Sequence, residues 1–313
     1  MDAIYTQAGL YDAVLPPYIF DGLDDAVLAG RELDRLVPTP VRAALELGCG
    51  TGRITPHVAA HAHRLTCVDA NAAMLAEFRN KQLGIEPVCA DAAGFLANAR
   101  AESFDLVTAF WSLNYPLLDC FETTTADQVI ARDPAAGNRD AAELLTNLIR
   151  VLRPGGRLLI FFFDATSPEQ QFVTGIWNRV APFYGGRGYT LHLLTEHLSN
   201  SRGDRSYRHL RGTMVAESVA AAERWFLTGH FKQSPVLTGD RAVREELRAF
   251  LTEHQIGDQT GQPASAQPSD QGAGDRAPAP VEPAPDRAAA VPGAPGSVRV
   301  PTGLHIITYA RAS

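Results

Sequence analysis

The sequence predicts an α/β protein built on a doubly wound, mostly parallel sheet. Three observations carry that reading. Between Val41 and Ala165, short apolar runs alternate with helical patterns. The runs are continuously apolar rather than alternating, as strands covered on both faces must be. The first of them, "VRAALEL", breaks into Gly48, Gly50 and Gly52, a turn at the C-terminal end of a strand, where such sheets receive their ligands.

Taken in order, "VRAALEL", "RLTCVD", "EPVCAD", "FDLVTAF" and "RLLIFFFDA" read as five strands. Amphipathic helices over "NAAMLAEFRNKQL" and "DAAELLTNLIRVLRPGG" separate them, the latter stopped by Pro154 and two glycines. Residues 1–40 form an N-terminal helical segment ahead of the core at 41–165. From 166 to 256 the chain turns aromatic and histidine-rich. A helix near "PEQQFVTGIWNRVA", two alternating runs around "SNSRGDRS" and a helix over "DRAVREELRAFLTEH" are expected there, the runs forming an antiparallel hairpin or small sheet. Residues 257–297 are dominated by Ala, Pro, Gly, Gln and Asp and hold almost no large apolar side chain, so they read as a disordered insert. "GLHIITYARA", within 298–313, reads as the final core strand, and a further strand can lie on either side of the insert.

The chain has 313 residues, 45% hydrophobic and 20% charged, with a formal net charge of −7. No basic stripe is present, which argues against a nucleic-acid partner. No stretch approaches the roughly 20 apolar residues of a membrane helix, and the N-terminus lacks the basic and apolar regions of a signal peptide. Cys49, Cys67, Cys89 and Cys120 have no metal-binding spacing. They read as reduced core residues of a cytoplasmic protein, and no metal is expected.

The glycine turn decides the chemistry. A P-loop would end in Gly-Lys-Ser/Thr, which is absent. A dinucleotide fingerprint wants G-x-G-x-x-G, whereas Arg53 stands where its third glycine belongs. Glu46, two residues ahead of the first glycine, would repel a pyrophosphate but attracts a cationic amine. A ligand that joins an adenosine to a cationic amino-acid arm without phosphate is S-adenosylmethionine. Asp69 ends the second strand, about where an acid accepts both ribose hydroxyls. Asp91 ends the third, placed for the adenine amine, with Ala92 offering a backbone donor. Phe110 and Trp111 end the fourth, beside the methyl group.

On these residues the chain resembles the class I S-adenosylmethionine-dependent methyltransferases. "LELGCGTGR" looks like their first motif, "CVDANAAML" and "CADAAGF" their second and third, and "FDLVTAFWSLNYPL" their fourth. The resemblance runs from about Val41 to Asp164. It implies a seven-stranded Rossmann-like sheet with its last strand antiparallel, and S-adenosylmethionine as cofactor. Cys49, Ala70 and Met74 join the donor contacts through these motifs. It also implies an N-terminal segment folded over the cofactor, bringing Tyr5 and Tyr11 as roofing. The "WSLNYP" turn is similar to that of small amine N-methyltransferases, including aminosugar enzymes of antibiotic pathways. These place an antiparallel lid and substrate wall after the fifth strand.

The expected reaction is therefore methyl transfer to a small-molecule acceptor, an amine nitrogen in a secondary-metabolite pathway. Trp111, Asn114 and Tyr115 are expected to position donor and acceptor. Trp177, Tyr184 and Trp225 are candidates for an aromatic wall facing a cationic substrate, and His192 and His209 are further substrate candidates. His197 and His230 share the same region, and any one of His192, His197, His209 and His230 is a candidate base. The donor is already activated, so no base is obligatory unless the amine arrives protonated. An O-methyltransferase, a non-catalytic cofactor-binding protein and a nicotinamide oxidoreductase are the alternatives, the last disfavoured by Glu46. A homodimer is left open.

Overall fold

Leu152–Phe163 is apolar almost throughout its second half because both of its faces are covered. Leu158, Ile160 and Phe162 enter one hydrophobic core, and Leu159 and Phe161 enter another. In the computed structural model, which describes residues 8–124, 129–180, 188–231, 234–256 and 294–313, this strand lies at the centre of the molecule.

The N-terminal segment comprises α1 (Ala8–Val14), β1 (Tyr18–Phe20), β2 (Leu23–Asp24) and α2 (Asp25–Leu36). The core begins with β3 (Ala44–Leu47), α3 (Thr55–Ala59), β4 (Leu65–Asp69), α4 (Ala72–Asn80), β5 (Val88–Cys89) and α5 (Ala92–Asn98). It continues through β6 (Phe104–Phe110), α6 (Asn114–Asp119), the paired strands β7 (Glu122–Thr124) and β8 (Val129–Ala131), α7 (Pro134–Arg150) and β9 (Leu152–Phe163). Then follow α8 (Pro168–Trp177), α9 (Tyr189–Asn200), β10 (Gly203–Ala216), α10 (Val219–Trp225) and a π-helical turn, Phe226–His230. The short α11 (Pro235–Thr238), α12 (Arg241–Glu253) and β11 (Val298–Arg311) complete the chain. Asn71, Asp91 and Asp133 cap α4, α5 and α7 by accepting backbone N–H groups left unpaired at the helix starts.

The main sheet among the described residues runs β2-β1-β10-β11-β9-β6-β3-β4-β5. Strands β5, β4, β3, β6 and β9 are parallel, and β11 is antiparallel to β9. Nine strands stand where seven were expected, because Tyr18–Asp24 adds two short strands at the outer edge of β10. These carry too few residues to declare themselves by periodicity.

The expected hairpin around "SNSRGDRS" is replaced by a helix and a strand. The first of the two runs is α9, where Thr190, Leu194 and Leu198 recur every fourth residue and are buried. The second is β10, which precedes residues 257–297 and belongs to the main sheet. Its antiparallel partner is β11, in register from Gly203↔Arg311 to Ala216↔Val298. Beyond the end of β9 this ribbon carries its own core. Met214, Val298 and Val300 pack there with Trp177 of α8, Trp225 of α10 and Leu247 of α12. The cover over the C-terminal end of the sheet is thus largely helical.

Tyr5, Tyr184 and residues 257–293 of the expected insert lie outside the described residues. The insert's last residues do not fit that reading, since Ser297 is buried and accepts a hydrogen bond from Ile256 N–H at 2.8 Å. Gly296 N–H donates back to the Ile256 carbonyl at 3.0 Å, beside a bridge between Gln255 and Val298. Ile256 and Ser297, on the two sides of residues 257–293, therefore stand side by side. Joining Ile256 to Ala294 through a short Gly-Ser linker should leave the melting temperature within about 4 °C of the full chain, a change of roughly 1 kcal/mol or less. A deletion running through Ser297 should lower it further. Thermal unfolding followed by circular dichroism checks both, and a collapsed melting curve for the first variant would contradict the account.

Candidate active site

A cavity of about 290 Å³ opens at the C-terminal ends of β3, β4 and β6, at the small end of the range for small-molecule sites. One side is the glycine turn. Gly48 has φ of 71°, and a Cβ there would stand 2.1 Å from Ser112 Cβ, so this position is closed to larger residues. Ser112 itself is held by donating its hydroxyl to the Leu47 carbonyl at 2.6 Å. Two neighbouring parallel strands thereby deliver their ends to the same point.

Acidic groups ring this side. Glu46 is 2% exposed and accepts from Thr55 Oγ1 at 2.7 Å. Burial pushes its carboxyl up to about 7, against the pull of that hydrogen bond. Asp69 accepts the backbone N–H groups of Gly50, at 2.9 Å, and Asn71, at 2.8 Å. Burial raises it too, partly offset by those two donors. Asp91 accepts from Gly94 N–H at 2.7 Å as the cap of α5.

The structure brings Tyr11, Glu46, Gly48, Cys49, Gly50 and Asp69 to the cavity wall, together with Ala70, Met74, Asp91, Ala92, Phe110 and Trp111. Tyr115 and Trp225 also line it. Gly52 does not. Its φ of 80° and its contact with Phe78, 2.8 Å from a Cβ built there, give it a packing role behind the turn. Asn114 is buried and accepts from Thr190 Oγ1 at 2.8 Å. It lines a smaller adjoining pocket of about 40 Å³ that shares Tyr115, Phe163, Gly229 and His230 with the main one.

Three other expectations are corrected. Trp177 is buried in the core of the cover, donating its indole N–H to the His230 carbonyl at 3.0 Å. His192 is exposed on α9, with Glu196 3.6 Å away. His209 projects from β10 and pairs with Asp164 at 2.8 Å, away from the cavity.

Residues that sequence reasoning passed over complete the wall. Asp25 receives both Arg53 nitrogens, at 2.7 and 2.6 Å, and the Trp111 indole N–H at 2.7 Å. Trp111 has φ of 59°, a left-handed conformation rare for bulky residues and one that gathers at functional sites. Tyr18 donates to Glu169 Oε1 at 2.6 Å and accepts from the Trp225 indole at 2.9 Å. Its phenol is pushed well up by burial and by the nearby Glu169. His230 Nε2 lies 2.9 Å from the same Glu169 oxygen. Glu169 is fully buried, and its Oε2 has no hydrogen-bond partner among the described residues. His230 ends the π-helical turn, a rare geometry that often marks functional sites. Composition marked residues 166–256 as aromatic and histidine-rich and put His230 among four candidate bases, but gave no signal for Tyr18, Asp25 or Glu169.

The cavity thus has an acidic, glycine-walled side and an aromatic side formed by Tyr11, Tyr18, Trp111, Tyr115, Phe163 and Trp225. Close backbone approach at Gly48 and paired acids suit a phosphate-free, cationic adenosyl ligand.

Over residues 45–160 the chain matches the methyltransferase domain family. No curated protein matches it. Among solved structures it is similar to the YcgJ protein of Bacillus subtilis, at 13% identity over 92% of this chain and 99% of that one, with a TM-score of 0.49. It is similar also to the N-methyltransferase NodS of Bradyrhizobium japonicum in complex with S-adenosyl-L-homocysteine. There the identity is 23% over 59% of this chain and 78% of that one, with a TM-score of 0.38. The [4+2]-cyclase SpnF gives 14% identity over 99% and 97% of the two chains, with a TM-score of 0.49. Among the described residues no helix is long and apolar enough to cross a membrane. The match runs from the glycine turn to Ile160 of β9, so the part of the chain that carries the glycine-walled side of the cavity is similar to a methyltransferase domain.

Proposed function

We propose that the protein methylates an amine nitrogen of a small molecule in a secondary-metabolite pathway. The observation that carries this reading is the single cavity running from the glycine turn to an aromatic wall backed by the buried Glu169. S-adenosylmethionine supplies an activated methyl group on a cationic sulfur. Asp69 would accept the ribose hydroxyls, Asp91 and Ala92 would meet the adenine, and Glu46 would face the amino-acid arm. The core at 41–165 holds the donor, and the N-terminal segment and residues 166–256 close over the acceptor. The four free cysteines fit a reducing cytoplasm.

At the acceptor end, aromatic faces stabilise a cationic amine while keeping water out. A protonated amine must lose its proton before attack. With His230 Nε2–H held by Glu169, Nδ1 is the ring's acceptor, and the buried carboxylate stabilises the imidazolium that results. The unpaired Glu169 oxygen leaves negative potential beside the cavity wall, which favours a cation there. The same His230–Glu169 pair also serves a hydroxyl acceptor, so O-methylation is the second reading.

Turnover of matched amines and phenols, followed as S-adenosylhomocysteine release, separates the two readings. Amines should be methylated and their hydroxyl analogues should not; the reverse result would favour the second. On the best acceptor, Glu169→Gln and His230→Ala should each lower kcat by about 100-fold and leave donor affinity unchanged.

Glu46 makes a further prediction. A cation beside it favours the ionised carboxylate, whereas burial alone holds its pKa near 7. Binding of S-adenosylmethionine should therefore take a proton off Glu46 below about pH 7 and weaken as pH falls through that value. Calorimetry in two buffers of different ionisation heat reads the proton. Glu46→Gln should abolish this dependence, and a wild type that releases no proton would contradict the placement.

A further inference from the structure

On the face of the sheet that carries α7 and α9, three adjacent strands bring ligating side chains to one point. His209 of β10 and His305 of β11 are direct cross-strand partners, with ring centroids 4.7 Å apart. Asp164 follows the last residue of the next strand, β9. Its Oδ2 lies 2.8 Å from His209 Nε2 and its Oδ1 lies 3.7 Å from His305 Nε2. One ligand atom from each of the three residues falls within 4.8 Å of the others.

We propose that Asp164, His209 and His305 form a site for a divalent transition-metal ion of the Zn²⁺ class, with its remaining coordination open toward solvent. Zn²⁺ bonds of 2.0–2.1 Å in a tetrahedron set ligand atoms about 3.4 Å apart, and one ligand atom from each of the three residues already lies within 4.8 Å of the others. Side-chain shifts on the order of 1 Å would bring the three atoms to that spacing and admit the ion. Two imidazoles with one carboxylate select Zn²⁺, Co²⁺ or Ni²⁺ over Mg²⁺ and Ca²⁺, which prefer all-oxygen shells.

The surroundings are arranged as metal sites usually are. Thr166 donates its backbone N–H and its hydroxyl to Asp164 Oδ1, at 2.8 and 2.6 Å, fixing the carboxylate. The Tyr207 hydroxyl engages His305 Nδ1, which turns Nε2 toward Asp164. The carboxylate lies directly over Gly303, where a Cβ would come within 2.3 Å of Asp164 Oδ2. His305 and Asp164 are nearly buried, whereas the His209 side chain is 37% exposed, which gives an ion its way in. A bound ion would tie β9, β10 and β11 together where the ribbon leaves the sheet. This assignment does not depend on the acceptor proposed above.

Tag-free protein, stripped with a chelator and dialysed against Zn²⁺, should retain one ion per chain by elemental analysis. Co²⁺ in its place should give the visible bands of a four-coordinate N/O site, and Zn²⁺ should raise the melting temperature. His209→Ala and His305→Ala should each weaken Zn²⁺ binding by about 100-fold or more, while His192→Ala, exposed on α9, should change nothing. His209 is exposed enough for its variant to fold, which the melting curve of the metal-free protein verifies. No retained Zn²⁺ in the wild type, or retention undiminished in His209→Ala, would overturn the proposal and leave the three residues as a hydrogen-bonded cluster.

Discussion

One buried carboxylate holds the catalytic half of the molecule in register. Asp25 is 2% exposed and stands at the first position of α2. It takes two hydrogen bonds from Arg53, just beyond the glycine turn, and one from the indole of Trp111 at the end of β6. The helix N-terminus adds favourable partial charge to the same anion. Asp25 raises the already high pKa of Arg53 against the effect of burial, and removing one partner of such a pair typically costs about 3–5 kcal/mol. The left-handed backbone of Trp111 costs on the order of 1–2 kcal/mol. The indole bond and the stacking of its rings against Phe20, at 5.9 Å, and Phe163, at 5.1 Å, offset it.

The aromatic side is tied to this centre by Tyr18. That residue starts β1, the strand paired with β10, lies 6.2 Å from the Trp111 ring and joins Trp225 and Glu169 in one hydrogen-bonded chain. N-terminal segment, glycine turn and helical cover therefore meet around one volume, and displacing any of them disturbs the other two.

The parallel core could be read from the chain because its strands are covered on both faces and so carry unbroken apolar runs. The acidic, glycine-walled side of the cavity was equally legible, since Glu46, Asp69 and Asp91 fall at or just beyond strand ends within a short span of sequence. The aromatic side was not. Tyr18 and Glu169 are 151 residues apart, and no local pattern joins them. Gly203–Gly212 alternates and is largely exposed on one face, so it resembled a peripheral hairpin, while its partner β11 lies beyond residues 257–293. His209 was taken for a substrate residue because composition marks a region and says nothing of which face a side chain leaves. Asp25 looked like an ordinary acid in the first turn of a helix.

The hydrogen bonds between Ile256 and residues 296 and 297 hold the two flanks of residues 257–293 side by side. A flexible connection adds only closure entropy, about 0.6 kcal/mol for each doubling of its length. Where two flanks are held in this way, a change in the length of chain between them need not be felt by the sheet that carries the cavity.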